Sequence, residues 1–154
     1  MAASTNTLGQ TVSDPMAAQP LILVAEDNRG DIFLIQSALA KHKVLHQLHI
    51  VTDGEQAISY LSDVAKPNSD LRRPALILLD LNLPRKSGRE VLDRLRSIQG
   101  VADTPVIIMS SSSAPQDRSE LSRWNARAYF TKPSDLEQFL SIGKLVQDVL
   151  AASR

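Results

Sequence analysis

The chain contains no cysteine, which excludes a disulfide framework, a thiol nucleophile and any zinc or iron–sulfur centre held by thiolates. It has no surplus of charge: 17 Lys and Arg balance 17 Asp and Glu. A chain that grips nucleic acid or an anionic membrane non-specifically needs a basic excess, so neither partner is expected here. No apolar run approaches the roughly 20 residues that span a bilayer, and a soluble, cytoplasmic protein is expected. The first twenty residues, MAASTNTLGQTVSDPMAAQP, hold no Lys or Arg and no continuous hydrophobic segment, so they lack the parts of a secretory signal or transit peptide. They read as a flexible leader over residues 1–19, with one domain over 20–151 and a short tail over 152–154, a size that suits the 154 residues.

What is present is a periodic alternation. LILVAED is a short apolar run ending in two acids, as in a strand buried on both faces, and Asp31 to Lys41 then follows helical spacing. HQLHIV gives a second strand and EQAISYLSDV a second helix; AKPNSDLRRP is a long polar loop. PALILLD is the strongest strand, followed by a helix over Gly88 to Ile98 and a fourth strand in TPVIIMS. Pro115 to Trp124 reads as helical with Asn125 as a left-handed cap, ARAYFTKP as a fifth strand, and Ser134 to Ala151 as a last helix opened by a Ser134–Glu137 capping box. Five strands alternating with five helices predict right-handed crossovers and a doubly wound α/β fold, a parallel sheet covered on both faces.

In such sheets ligands bind beyond the carboxyl ends of the strands. Glu26 and Asp27 end the first strand, Asp80 the third, Ser110 the fourth, and Thr131 and Lys132 the fifth. Three carboxylates brought together repel one another unless a cation offsets them, and hard oxygen donors suit Mg²⁺. An ionised aspartate needs no general base to attack phosphorus, so Asp80 is the candidate nucleophile of a phosphoryl transfer. Lys132 and Ser110 would bond the phosphoryl oxygens, and the Asn82 carbonyl would complete the metal shell.

The pair Glu26-Asp27, the segment LLDLNLPRKSG with Asp80, Pro84 and Gly88, the hydroxyl of Ser110 and the pair Lys132-Pro133 together resemble the receiver domain of two-component response regulators. The resemblance implies a flavodoxin-like (βα)5 fold with strand order 2-1-3-4-5. It implies that Asp80 is phosphorylated from a histidine kinase or a phosphotransfer protein, with Mg²⁺ held by Asp27, Asp80 and Asn82 and with Glu26 beside it. Ser110 and Tyr129 would form the switch. VAEDNRGDIFLIQSAL, VTDGEQAISYL and LILLDLNLP followed by GREVL are most similar to stand-alone regulators associated with phytochromes. In many receivers Ala or Gly follows the switch hydroxyl; here it is Ser111.

Other signals are weaker. His42, His46 and His49 fall on different elements and share no face, which argues against a metal site. Arg72 and Arg73 in the long loop, and Arg85 and Lys86 after Asp80, suit either a solvated loop or a docking rim for an acidic partner. Trp124, the only tryptophan, reads as a packing residue. A phosphohydrolase of the haloacid-dehalogenase type needs a second acid two residues after its nucleophile, where this chain has Asn82. A flavin or nucleotide carrier needs a glycine-rich phosphate loop, and EDNRGD would repel phosphate. The last helix carries Leu136, Phe139, Leu140, Ile142, Leu145, Val146, Val149 and Leu150, a wider apolar surface than one buried stripe requires, which predicts a homodimer through the fourth helix, fifth strand and fifth helix.

Overall fold

The computed structural model describes residues 3–5, 11–13, 19–112, 119 and 122–153. Ala3–Thr5 (β1) and Thr11–Ser13 (β2) pair antiparallel in a two-stranded ladder, inside the segment expected to carry little order. The main sheet holds Leu21–Ala25 (β3), Gln47–Val51 (β4), Leu76–Asp80 (β5), Val106–Ser110 (β6) and Ala128–Thr131 (β7). They lie in the order β4-β3-β5-β6-β7, all parallel, which is the 2-1-3-4-5 order of the flavodoxin-like fold counted over these five strands.

Strands β3, β5 and β6 are buried along their whole lengths, and their alternate residues serve two separate cores. Leu23, Ala25, Ile77, Leu79, Val106 and Ile108 face one way, against Gly54–Val64 (α2) and Gly88–Ser97 (α3). Ile22, Val24, Leu76, Leu78, Ile107 and Met109 face the other, against Arg29–Lys41 (α1), Leu136–Leu140 (α4) and Ile142–Ala152 (α5). Each helix that follows a strand starts on a side-chain cap: Asn28 for α1, Asp53 for α2, and for α3 a capping box in which Ser87 and Glu90 each bond the other's amide.

Two expectations are corrected. The last helix opens on Asp135, which accepts from the Gln138 amide at 3.0 Å, and not on a Ser134–Glu137 box. A carboxylate facing the positive end of the helix is a stronger acceptor than a hydroxyl. The helix also divides at Ser141, where three-residue bonds from Ser141 N to Gln138 O and from Lys144 N to Ser141 O replace four-residue ones. The break seats Gly143 directly on α1, where a Cβ would lie 2.5 Å from the Ala38 carbonyl oxygen. The wide apolar surface of this segment is accordingly spent inside the domain. Phe139, Ile142, Val146, Val149 and Leu150 are buried, Leu140 and Leu145 are partly so, and Leu136 alone of the eight is exposed, at 55%.

Of the predicted fourth helix, Ser122–Trp124 form a 3-10 turn and Asn125 has the expected left-handed backbone, with φ 55°. Residues 113–118, 120 and 121 lie outside the described ones. Three loop and helix arginines bind backbone at the amino end of the sheet. Arg72 bonds Gln19 O and the Gln47 side chain, Arg73 bonds Gly100 O, and Arg96 bonds Ala102 O, Thr104 O and Asn125 O. Thus Arg72 and Arg73 hold the long loop against the domain, with Tyr60 donating its hydroxyl to Arg72 O at 2.7 Å. No helix among the described residues is long and apolar enough to cross a membrane.

Candidate functional site: an acidic cluster around one half-buried lysine

Parallel strands deliver their last residues to one edge, and the polar residues read there from the sequence do meet. Glu26 follows β3 and is 1% exposed; Asp80 closes β5 at 5%; Ser110 closes β6 at 2%. One carboxylate oxygen each from Glu26, Asp27 and Asp80 lie within 4.8 Å of one another. A divalent cation with oxygen bonds of about 2.0–2.6 Å spans that separation, so the donor set fits a hard cation such as Mg²⁺. Asp27 is the exposed member and opens the cluster to solvent.

The loop after Asp80 is shaped around this carboxylate. Asn82, whose carbonyl is the predicted metal ligand, donates its amide to Asp80 Oδ1 at 3.0 Å. Gly88 N bonds Leu81 O, and a Cβ at Gly88 would lie 2.5 Å from the Asp80 carbonyl oxygen, so only glycine permits the loop to close on the strand end. The same loop rests on α2. Gly54 donates to Pro84 O at 3.1 Å, and Arg85, at φ 68°, pairs with Asp53 and Glu55 at 3.6 and 3.4 Å. Arg85 nonetheless stays 66% exposed. Lys86 offers its backbone carbonyl to the packing against Gly54.

Lys132 reaches the cluster from the end of β7. Its amide donates to Ser110 O at 2.7 Å, and its ammonium donates to Glu26 Oε1 at 2.7 Å, Asp31 Oδ2 at 2.9 Å and Asp80 Oδ2 at 3.1 Å. Burial pushes the Glu26 carboxyl up to about 7; the neighbouring Asp80 adds to the rise and Lys132 opposes it. Burial pulls the Lys132 ammonium down, but hydrogen bonds to Glu26 and Asp31 and the charges of Glu26 and Asp80 outweigh it, so its pKa stands above the ordinary lysine range. The lysine thus stays cationic and satisfies the acids around it.

Ser110 accepts from the Ser112 amide at 3.0 Å, and Tyr129 donates its hydroxyl to Ser112 O at 2.6 Å, so both expected switch residues hold the same short segment. Ser111 between them is exposed. The histidines do not converge. His42 caps α1, His46 Nδ1 lies 2.7 Å from Val44 O, and His49 stacks on Tyr60 with ring centroids 4.3 Å apart. The side chain of Trp124 lies outside the described ones.

One residue of the site was not legible as such. Asp31 sits in the first turn of α1, its amide held by the Asn28 cap at 2.9 Å, and the chain separates it from Lys132 by 101 residues. The available signal was an acid one turn beyond the Glu26-Asp27 pair, where the helix begins over the same edge.

Comparison with known proteins agrees with this geometry. Residues 22–143 match the model of the response regulator receiver domain. The response regulator Rcp1 of Synechocystis sp. is 33% identical over 138 residues, 90% of this chain and 91% of that protein. The crystal structure of the phosphorylated cyanobacterial phytochrome response regulator RcpA superposes with a TM-score of 0.78 at 37% identity, covering 89% of this chain and 97% of that one. The Mn²⁺-bound form of Rcp1 gives 0.74 at 31% identity, covering 84% and 92%.

Proposed function

Because the chain belongs to the response regulator receiver family, we propose that it is a single-domain response regulator, built on residues 20–151, whose Asp80 accepts a phosphoryl group from a histidine kinase or a phosphotransfer protein. One observation carries the reading: a buried aspartate at the end of a central strand, inside a carboxylate cluster, with a lysine ammonium 3.1 Å away. An Asp80 carboxylate oxygen attacks the phosphorus of a phosphohistidine. The phosphorus–nitrogen bond breaks as the new phosphorus–oxygen bond forms, and the imidazole leaves with the electron pair. Lys132 and Ser110 donate hydrogen bonds to the phosphoryl oxygens, and the charge arriving beside Asp80 draws on the segment that Ser110 and Tyr129 share.

Glu26, Asp27, Asp80 and the Asn82 carbonyl would hold Mg²⁺, which when bound neutralises the charge gathered at the transferring group. That Mn²⁺ occupies the related Rcp1 supports a divalent cation here. The resemblance to phytochrome regulators supports a phytochrome-type kinase as the partner. We assign the chain to the cytoplasm, with no nucleic-acid or membrane partner and no turnover beyond its own phosphorylation and slow dephosphorylation. An added homodimer would use the predicted fourth helix over 115–124, β7 and the last helix, here α4 and α5, where Leu136 is the large apolar residue left open.

The test is labelling by acetyl phosphate, or trapping with beryllofluoride, in the presence of Mg²⁺. One phosphoryl group per chain is expected in the wild type, none without the cation and none in Asp80→Asn. Label that survives in Asp80→Asn refutes the assignment.

A further inference from the structure

We propose that Asp31 is a positioning residue for phosphoryl transfer, a carboxylate that tethers Lys132 beside Asp80; the inference rests on the phosphoacceptor reading above. An ammonium has three N–H donors. In Lys132 all three are spent on carboxylates, with Asp31 closer at 2.9 Å than Asp80 at 3.1 Å. When Asp80 is phosphorylated its carboxylate becomes an acyl phosphate and phosphoryl oxygens stand beside it, so the lysine's bond to Asp80 is the one the transfer replaces. The bonds to Glu26 and Asp31 persist through the step.

Asp31 is well built for a tether. Its backbone is fixed by the Asn28 cap at the start of α1, and its side chain is 23% exposed, against 1% for Glu26 and 6% for Asp80. It approaches the ammonium from α1, whereas Glu26 and Asp80 approach from β3 and β5. With this bond in place the lysine does not close fully on the nucleophile, and it need not be ordered anew when the phosphoryl group arrives. Glu26 alone cannot fix the ammonium in this way, because one bond leaves it free to swing about the glutamate.

The test uses the full chain at saturating Mg²⁺, with acetyl phosphate as donor. Asp31→Asn is expected to slow labelling about 10-fold, and Asp31→Glu, which keeps the charge, to recover most of the rate. In a Lys132→Ala background the same Asp31→Asn change should alter the rate by less than about twofold, because the tethered group is gone. A second readout needs no phosphoryl group. The Lys132 ammonium in cation-free protein should give a slowly exchanging ¹H–¹⁵N signal that Asp31→Asn broadens away. A wild-type rate in Asp31→Asn, an equal effect with and without Lys132, or an unchanged ammonium signal each overturn the tether alone. Label retained by Asp80→Asn overturns both readings.

Discussion

Gly54→Ala sets two physical effects against each other, and the sign of the outcome decides between them. Alanine is the better helix former by about 1 kcal/mol, and Gly54 is the first residue of α2 without a left-handed φ, so propensity alone predicts a gain. The added Cβ, however, would stand 1.8 Å from the Lys86 carbonyl oxygen and 2.5 Å from its carbonyl carbon. Ordinary contact begins at about 3.4 Å, so the loop must retreat by roughly 1.6 Å. That retreat breaks the bond from Gly54 to Pro84 O, worth about 1 kcal/mol, and adds an overpacking cost of about 1–3 kcal/mol. The net expectation is a loss of about 1–3 kcal/mol, or a melting point lower by about 3–10 °C for a domain of this size. Urea unfolding followed by circular dichroism reads it. Because the displaced loop also carries Asn82, Mn²⁺ binding by the folded variant should weaken as well. A variant as stable as the wild type or more so would refute the claim that this loop is braced on α2.

Two further outcomes are expected. The Glu26 carboxyl, raised from 4.5 to about 7 in the fold, binds its proton more tightly folded than unfolded; its contribution, about 3 kcal/mol at most, is full below pH 4.5 and lost as pH rises through 7. Cation-free protein should therefore unfold at lower urea at pH 8 than at pH 6, Glu26→Gln should flatten that slope, and a flat wild-type profile contradicts the burial argument. Sedimentation at micromolar concentration should reveal the proposed homodimer with beryllofluoride bound, and a strict monomer both with and without it removes that proposal.

The strands were legible because burial on both faces demands continuous apolar runs, and LILVA, LILLD and VIIMS leave no amphipathic alternative. The site was legible for a related reason: each run ends abruptly in a polar residue, and parallel topology sends all such ends to one edge. Helix starts were read less well. The first helix begins at Arg29 and not at Asp31, because the Asn28 side chain supplies the cap, and Asp135 prevails over Ser134 by the same chemistry. The apolar width of α4 and α5 could not be assigned from periodicity, which counts hydrophobic positions without saying which neighbour covers them. Here that neighbour is α1, and it comes close enough to explain Gly143 within the chain. Asp31 and the bracing of Arg85 on Asp53 were invisible for another reason, since contacts between distant segments leave no local pattern.

The three arginines at the amino end of the sheet carry a mechanical consequence. Arg72 ties Gln19, two residues before β3, to the first residue of β4, and Arg96 ties the approach to β6 to the turn before β7. Each guanidinium clasps backbone or amide oxygens through a rigid planar fork, so this end of the domain works as a fixed chassis. At the opposite end, besides the backbone bonds that brace the loop after Asp80, one lysine joins Glu26, Asp31 and Asp80, contacts that a single change of charge can redistribute. A charge arriving at Asp80 therefore meets contacts it can rearrange, whereas the guanidinium clasps lie at the other end of the sheet.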